Sequence, residues 1–129
     1  MIPDPPALLE RDPVWRPDPE EAAAWRRAAR EDGAPEPLLR EVRWWDAREA
    51  GERGDWEAVS TLAEAGLGEP WSERESVRLA FLHCLSGSLE EAEHVLAQAV
   101  QTVSGEDLLR RFAGWCEREG LREAAARFR

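Results

Sequence analysis

The stretch SVRLAFLHCLSGSLEEAEHVLAQAV, residues 76–100, decides how the whole chain is read. Its second half places Leu89, Ala92, Val95 and Leu96 at helical spacing behind Gly87. Ser88 stands three residues ahead of Glu91, the pattern of a capping box, and Ser72 stands in the same relation to Glu75 ahead of the first half. Two helices joined by a short glycine turn are therefore expected, at 72–86 and 88–102.

The same punctuation recurs along the chain. Asp18 is a plausible N-cap, Pro19 suits a first helical position, and Glu20 and Glu21 favour the positive end of that helix, which Gly33 closes. Further helices are expected at 37–51, 55–66 and 105–119, the last with Ser104 and Asp107 as its capping pair, and LREAAARF ends the chain. No segment alternates with period two, and Val and Ile are scarce, so strands are not expected. The fold class expected is all-α, with about seven helices.

The glycine-led segments superimpose. Gly54 to Gly87, Trp56 to Leu89 and Glu57 to Glu90 are each separated by 33 residues, since 87 − 54 = 33. The third copy matches at 32: Leu89 with Leu121, Ala92 with Ala124, Leu96 with Phe128, and, in the preceding helices, Arg78 with Arg110 and Cys84 with Cys116. A period in the low thirties with two helices per unit points to stacked helical hairpins, each burying its apolar face only against its neighbours.

On these residues the chain resembles the tetratricopeptide repeat family, whose unit is about 34 residues. Leu79, Ala80 and His83 occupy first-helix places, and Gly87, Leu89, Ala92, Leu96 and Ala99 fit the turn and second helix. Trp115, Leu121, Ala124 and Phe128 repeat the scheme, and Ala47, Ala50, Trp56 and Val59 give a weaker first copy. Asp46 and Arg111 depart from the pattern, standing where leucine is expected, and the end-of-repeat proline is missing after the second copy. The resemblance spans about residues 40–128 and implies three hairpins, roughly 37–66, 71–103 and 105–128, stacked as a short solenoid. The helix at 19–32 then reads as an N-terminal cap within a single domain, 18–129, preceded by a proline-rich arm, 1–17. An irregular helical bundle is the alternative. The arm is expected to be extended, either laid along the domain by Leu8, Leu9 and Trp15 or left as a free tail.

Composition narrows the function. The formal net charge is −10, and no Arg-rich run appears, which argues against a nucleic-acid partner. Every basic residue is Arg, and the absent Lys, Tyr and Asn share AT-rich codons, so the bias is read as genomic. The first residues lack the basic and apolar regions of a secretory signal, and the longest apolar run, LAFLHCL at 79–85, is far too short to span a bilayer. A cytoplasmic protein with two free thiols, Cys84 and Cys116, is the expectation.

Nothing in the sequence assembles a catalytic couple. His83, Cys84 and His94 have no metal-ligand spacing, adjacent helix residues do not face one another, and no phosphate-binding glycine loop is present. No enzyme activity, cofactor or metal is expected. The seven Trp are the unusual feature. Trp44 and Trp45 sit about 100° apart on one helix, so if one is core the other faces the side or a groove.

The resemblance implies ligand binding along the concave surface, which maps here to Trp44, Trp45, Arg48, Arg74, Val77, Arg78, Phe81 and Arg110. Such Trp and Arg residues are the usual anchors of a peptide site. The plainer reading is that both Trp are core and the Arg residues pair with the many glutamates. The functional expectation is an adaptor or scaffold for a protein or peptide partner, acidic or with a free C-terminus. Self-association as a structural or regulatory subunit is the alternative, ahead of a small helical ligand-binding protein or enzyme.

Overall fold

The computed structural model describes residues 12–64, 73–100 and 105–129. Leu8 and Leu9, the Ser72 and Ser104 caps and the helix ends expected at 66 and 102 lie outside the described residues. Among the described residues there are seven helices and no strand: α1 (Pro19–Ala29), α2 (Glu36–Glu52), α3 (Trp56–Glu64), α4 (Glu73–Leu85), α5 (Leu89–Val100), α6 (Gly105–Arg118) and α7 (Arg122–Phe128). Asp18 caps α1 as its position suggests, its side chain accepting from the Glu21 N–H at 2.8 Å. Asp55 does the same for α3, accepting from Ala58 N–H at 3.2 Å. No described helix is long and apolar enough to cross a membrane.

Helices adjacent in sequence pack together as α2 with α3, α4 with α5 and α6 with α7. Contacts of α1 with α2, α2 with α4 and α5 with α6 join these pairs. The three pairs share one turn. Gly54, Gly87 and Gly120 all have φ near +80°, at 78°, 82° and 84°. In each turn the next residue's N–H reaches back five residues: Asp55 to Ala50, Ser88 to His83 and Leu121 to Cys116, at 2.8–2.9 Å. This is the closing bond of a Schellman motif, and only glycine takes the left-handed position without a Cβ clash.

The turns set a backbone register of 33 residues throughout, since 120 − 87 also equals 33. Ala47, Ala80 and Ala113, spaced by 33, are all buried on the first helices of the pairs. The 32-residue match between the second and third copies is thus one residue off the backbone. Leu121 stands where Ser88 stands, as the N-cap of α7 without a capping side chain, and Ala125, not Ala124, occupies the backbone place of Ala92.

A single cluster forms the core, running from Val14 and Trp25 through Trp44, Trp45, Val77 and Phe81 to Phe112 and Phe128. Both Trp44 and Trp45 are buried, at 0% and 3% exposure, although they point to different sides of α2. Trp44 meets the Phe81 ring edge-on across α4, with centroids 5.9 Å apart. Trp45 is covered from the other side by Trp15, at 6.2 Å and also edge-on. The segment 12–18 lies along the domain, with Val14 fully buried, so the core begins before the boundary drawn at residue 17.

The shared turn yields a pair of opposite outcomes. Gly87→Ala forces a Cβ into the left-handed region and is expected to lower stability by about 1–2 kcal/mol. Gly114→Ala, inside α6 with nothing within 4 Å of the new Cβ, is expected to raise it by about 0.5–1 kcal/mol. Denaturant unfolding followed by circular dichroism measures both, and equal effects would mean that the turn does not require glycine.

Candidate functional site

Helical spacing builds one face of each of two facing helices. On α2, Glu41, Trp44, Trp45, Arg48 and Glu52 recur at three- and four-residue steps; on α4, Arg74, Val77, Arg78, Phe81 and Leu85 do the same. These stripes and the C-terminal end of α6, with Arg118 and its neighbour Glu119, bound a groove. The groove is occupied by the chain's own residues 12–17.

Asp12 to Trp15 form a β-turn, the Trp15 N–H donating to the Asp12 carbonyl at 3.2 Å with Pro13 in the second place. The Asp12 side chain closes it further by accepting from the Val14 N–H at 3.1 Å. That turn leaves two carbonyls facing the groove. Arg78 Nε donates to the Pro13 carbonyl at 2.9 Å, and Arg48 Nη1 donates to the Val14 carbonyl at 2.6 Å. Arg118 grips the Asp12 carboxylate with both terminal nitrogens, at 2.9 and 3.0 Å. Arg16 pairs with Glu52 at the exit.

The two gripping arginines are themselves buried, Arg78 at 1% exposure and Arg48 at 5%. Arg78 Nη2 lies 2.8 and 2.7 Å from the two oxygens of Glu41, a carboxylate exposed to only 1%. Arg74 joins the same carboxylate from the rim at 3.3 Å. Arg48 pairs with Glu119, and its guanidinium lies 4.8 Å over the Phe81 ring, while that of Arg78 lies 5.2 Å from the Trp44 ring. The Arg78 Nη1 and the indole N–H groups of Trp44 and Trp45 are buried without an acceptor among the described residues. Each such donor costs about 1–3 kcal/mol relative to a satisfied one.

Beside the segment the groove continues as a cleft of about 520 Å³, lined by Trp15, Arg16, Arg48, Phe81, Arg118 and Glu119 among others. A second cleft of about 570 Å³ runs under Arg16 and Pro17 toward Trp45 and Arg26.

Of the residues expected on a concave surface, Trp44, Trp45, Arg48, Val77, Arg78 and Phe81 come together here, with Arg74 at the edge. Arg110 lies exposed on α6, apart from them. The 32-residue match paired it with Arg78; the 33-residue backbone register pairs Arg78 with Arg111, which reaches α4 through Glu73 at 2.6 Å. Glu41, Glu119, Arg118 and the turn at Asp12 escaped the sequence reading. Only the buried pairing could have singled out these acids among so many.

The other candidate chemistry resolves into structure. His83 lies in the last turn of α4, its carbonyl accepting from Ser88 N–H and Ser86 Oγ, and burial pushes its imidazole below the ordinary value. Cys84 and Cys116 are both buried and free. A hydrogen bond with Cys84, with burial, pushes the Cys116 thiol up and keeps it protonated. Among the described residues no group of His, Cys, Asp and Glu side chains could hold a metal ion.

Charge fixes the pH response of the segment. Burial pushes Asp12 up, but the hydrogen bond and charge of Arg118 and the Val14 N–H outweigh it and leave the carboxyl below its ordinary value. Glu119 behaves alike, burial being outweighed by Arg48 and Arg118. Depressed carboxylates contribute stability that is present above their unfolded pKa and lost as pH falls through the folded one. Glu75, raised by burial, works in the opposite sense, losing its contribution as pH rises.

The segment is therefore expected to stay seated at neutral pH and to loosen below about pH 4, the ordinary carboxylate range. Hydrogen exchange at residues 14–16 reads this out, and a flat profile down to acid unfolding would contradict it. Arg78→Met, which leaves Glu41 only the longer contact with Arg74, is expected to cost up to about 3–5 kcal/mol, and adding Glu41→Leu should recover most of that. Denaturant unfolding of the single and double variants tests the pair, and equal losses would remove it as the central contact.

The chain matches no protein-family model, no curated protein and no solved structure.

Proposed function

We propose that this protein is a non-catalytic interaction module that binds a helix-free, turn-forming segment of a partner protein in the groove between α2 and α4. The observation that carries this reading is the pair of contacts from Arg78 and Arg48 to the Pro13 and Val14 carbonyls. Main-chain carbonyls are common to every peptide, so a groove built around two fixed guanidinium groups accepts a chain by its backbone where a turn presents two successive carbonyls. Side chains then select: Arg118 for a carboxylate, Trp45 for an aromatic ring, and the space beneath Val14 for an apolar residue. The identical turns at Gly54, Gly87 and Gly120 favour a short, tetratricopeptide-like stack of three hairpins as the frame, with α1 covering one end. An acidic surface and two buried thiols suit a cytoplasmic setting.

The test is a panel of short proline-containing peptides, varied in acidic, apolar and aromatic positions, titrated by isothermal calorimetry. Peptides with an acid two places before an apolar residue are expected to bind best. Arg118→Glu, at a partly exposed position, should weaken that binding about tenfold while leaving the fold intact by circular dichroism. A panel that binds neither the wild type nor a chain whose residues 12–17 are loosened would remove the reading.

A further inference from the structure

Resting on that reading, we infer that residues 12–17 are an intramolecular stand-in for the partner, so that the groove is shut in cis and opens only to a segment of the same chemistry. The occupant in trans is a helix-free stretch that makes the same β-turn, with an acid, a turn-forming residue, an apolar residue and an aromatic in succession, as in Asp12-Pro13-Val14-Trp15.

Four features carry this. The segment is seated like a peptide ligand and not like a packed helix: the groove holds it by two main-chain carbonyls and one carboxylate. It is an imperfect occupant. Arg78 Nη1 and the indole N–H groups of Trp44 and Trp45 stay buried without an acceptor among the described residues, and about 520 Å³ of cleft beside Trp15 and Arg16 is unfilled. A partner with further acceptors and more side-chain volume meets donors and space that the segment leaves unused. The segment also lies ahead of α1, which buries a face of its own through Ala22, Trp25 and Ala28. Its outer anchors are surface ion pairs, Asp12 with Arg118 and Arg16 with Glu52, whose partners are one-quarter to one-half exposed. Such pairs hold register and yield readily to competition.

The consequence is quantitative. A ligand that needs the open groove binds with an apparent dissociation constant raised by the inverse of the open fraction. Loosening the segment therefore tightens binding without any change in the groove.

The experiment uses the full chain and a fluorescein-labelled peptide, DPVWRPD, copied from residues 12–18 and followed by fluorescence anisotropy. Two variants loosen the segment: Asp12→Arg, which removes the pair with Arg118 and the side-chain contact to the Val14 N–H, and Val14→Asp, which withdraws the buried anchor. The first keeps the test valid if the second fails to fold. Hydrogen exchange at residues 14–16 confirms release. The expected result is weak binding to the wild type and binding about tenfold tighter to the released variants. The same peptide carrying both changes should not bind.

Release without any gain in peptide affinity would overturn the inference. If panel peptides then still bind in an Arg118-dependent way, the interaction reading stands and only the cis closure falls. If none binds, both fall. A concentration-dependent dimer of the released variants in sedimentation would also overturn it, making the segment an exchange element between copies.

Discussion

The contact on which the other groove contacts depend is the buried pair of Arg78 and Glu41. Two charges, each exposed to about 1%, face one another across α2 and α4 at 2.7–2.8 Å. Taking them from water costs several kcal/mol per ion, which their attraction offsets only in a dry site with good geometry. Val14 supplies the dryness by closing over the site, and the Pro13 carbonyl occupies one more Arg78 donor. The pair and the segment above it therefore depend on each other. Opening the groove loses the contacts of the segment but returns both charges toward water, so the net cost of opening is smaller than a count of broken bonds suggests. A buried charge beneath a removable cover is an easier thing to uncover than an apolar floor of the same area.

What the sequence made legible was local. Caps and turns are chemistry of neighbouring residues, and Asp18, Asp55 and the left-handed glycines behave as their positions require. The order and bounds of the helices follow from the same signals. The repeat register was legible to within one residue, and the error has a physical source. Side-chain matching rewards Leu121 for resembling Leu89, whereas the hydrogen-bonded turn fixes the frame by Gly120 and the Leu121 N–H. On a helix one residue is about 100°, enough to turn Arg110 outward and leave Arg111 to reach Glu73.

The closed groove was not legible, because its contacts are long-range and chemically degenerate. Asp12 and Arg118 are 106 residues apart, and the proline-rich stretch that carries Asp12 has no periodicity to show which face it meets. With 27 acidic and 17 basic residues, any Arg has many sequence partners, and only the folded contacts single out Glu41, buried against Arg78, and Glu119, paired with Arg48. The adjacent Trp44 and Trp45 held the one usable hint. Two large rings about 100° apart cannot both be covered by a single neighbouring helix, so a second cover had to exist. Trp15, four residues ahead of the start of α1 at Pro19, is that cover, and its own edge-on contact with Trp45 seats the segment.

The division of labour within the segment bears on what the groove selects. The carbonyl contacts supply orientation without regard to sequence. The Asp12 pair is partly exposed, so its contribution is screened and serves mainly to set register. Affinity must then come from Val14 and Trp15. Full burial of a valine side chain is worth about 1.5–3 kcal/mol, and an edge-on aromatic pair adds about 0.5–1.5 kcal/mol beyond its area. Ordering the segment opposes this, at a cost reduced here because Pro13 and Pro17 already fix two of its six backbone φ angles. Proline in the segment is thus not a bystander of composition. It lowers the entropy lost on seating an otherwise lightly held chain, and it keeps residues 13–17 from continuing α1 toward the N-terminus.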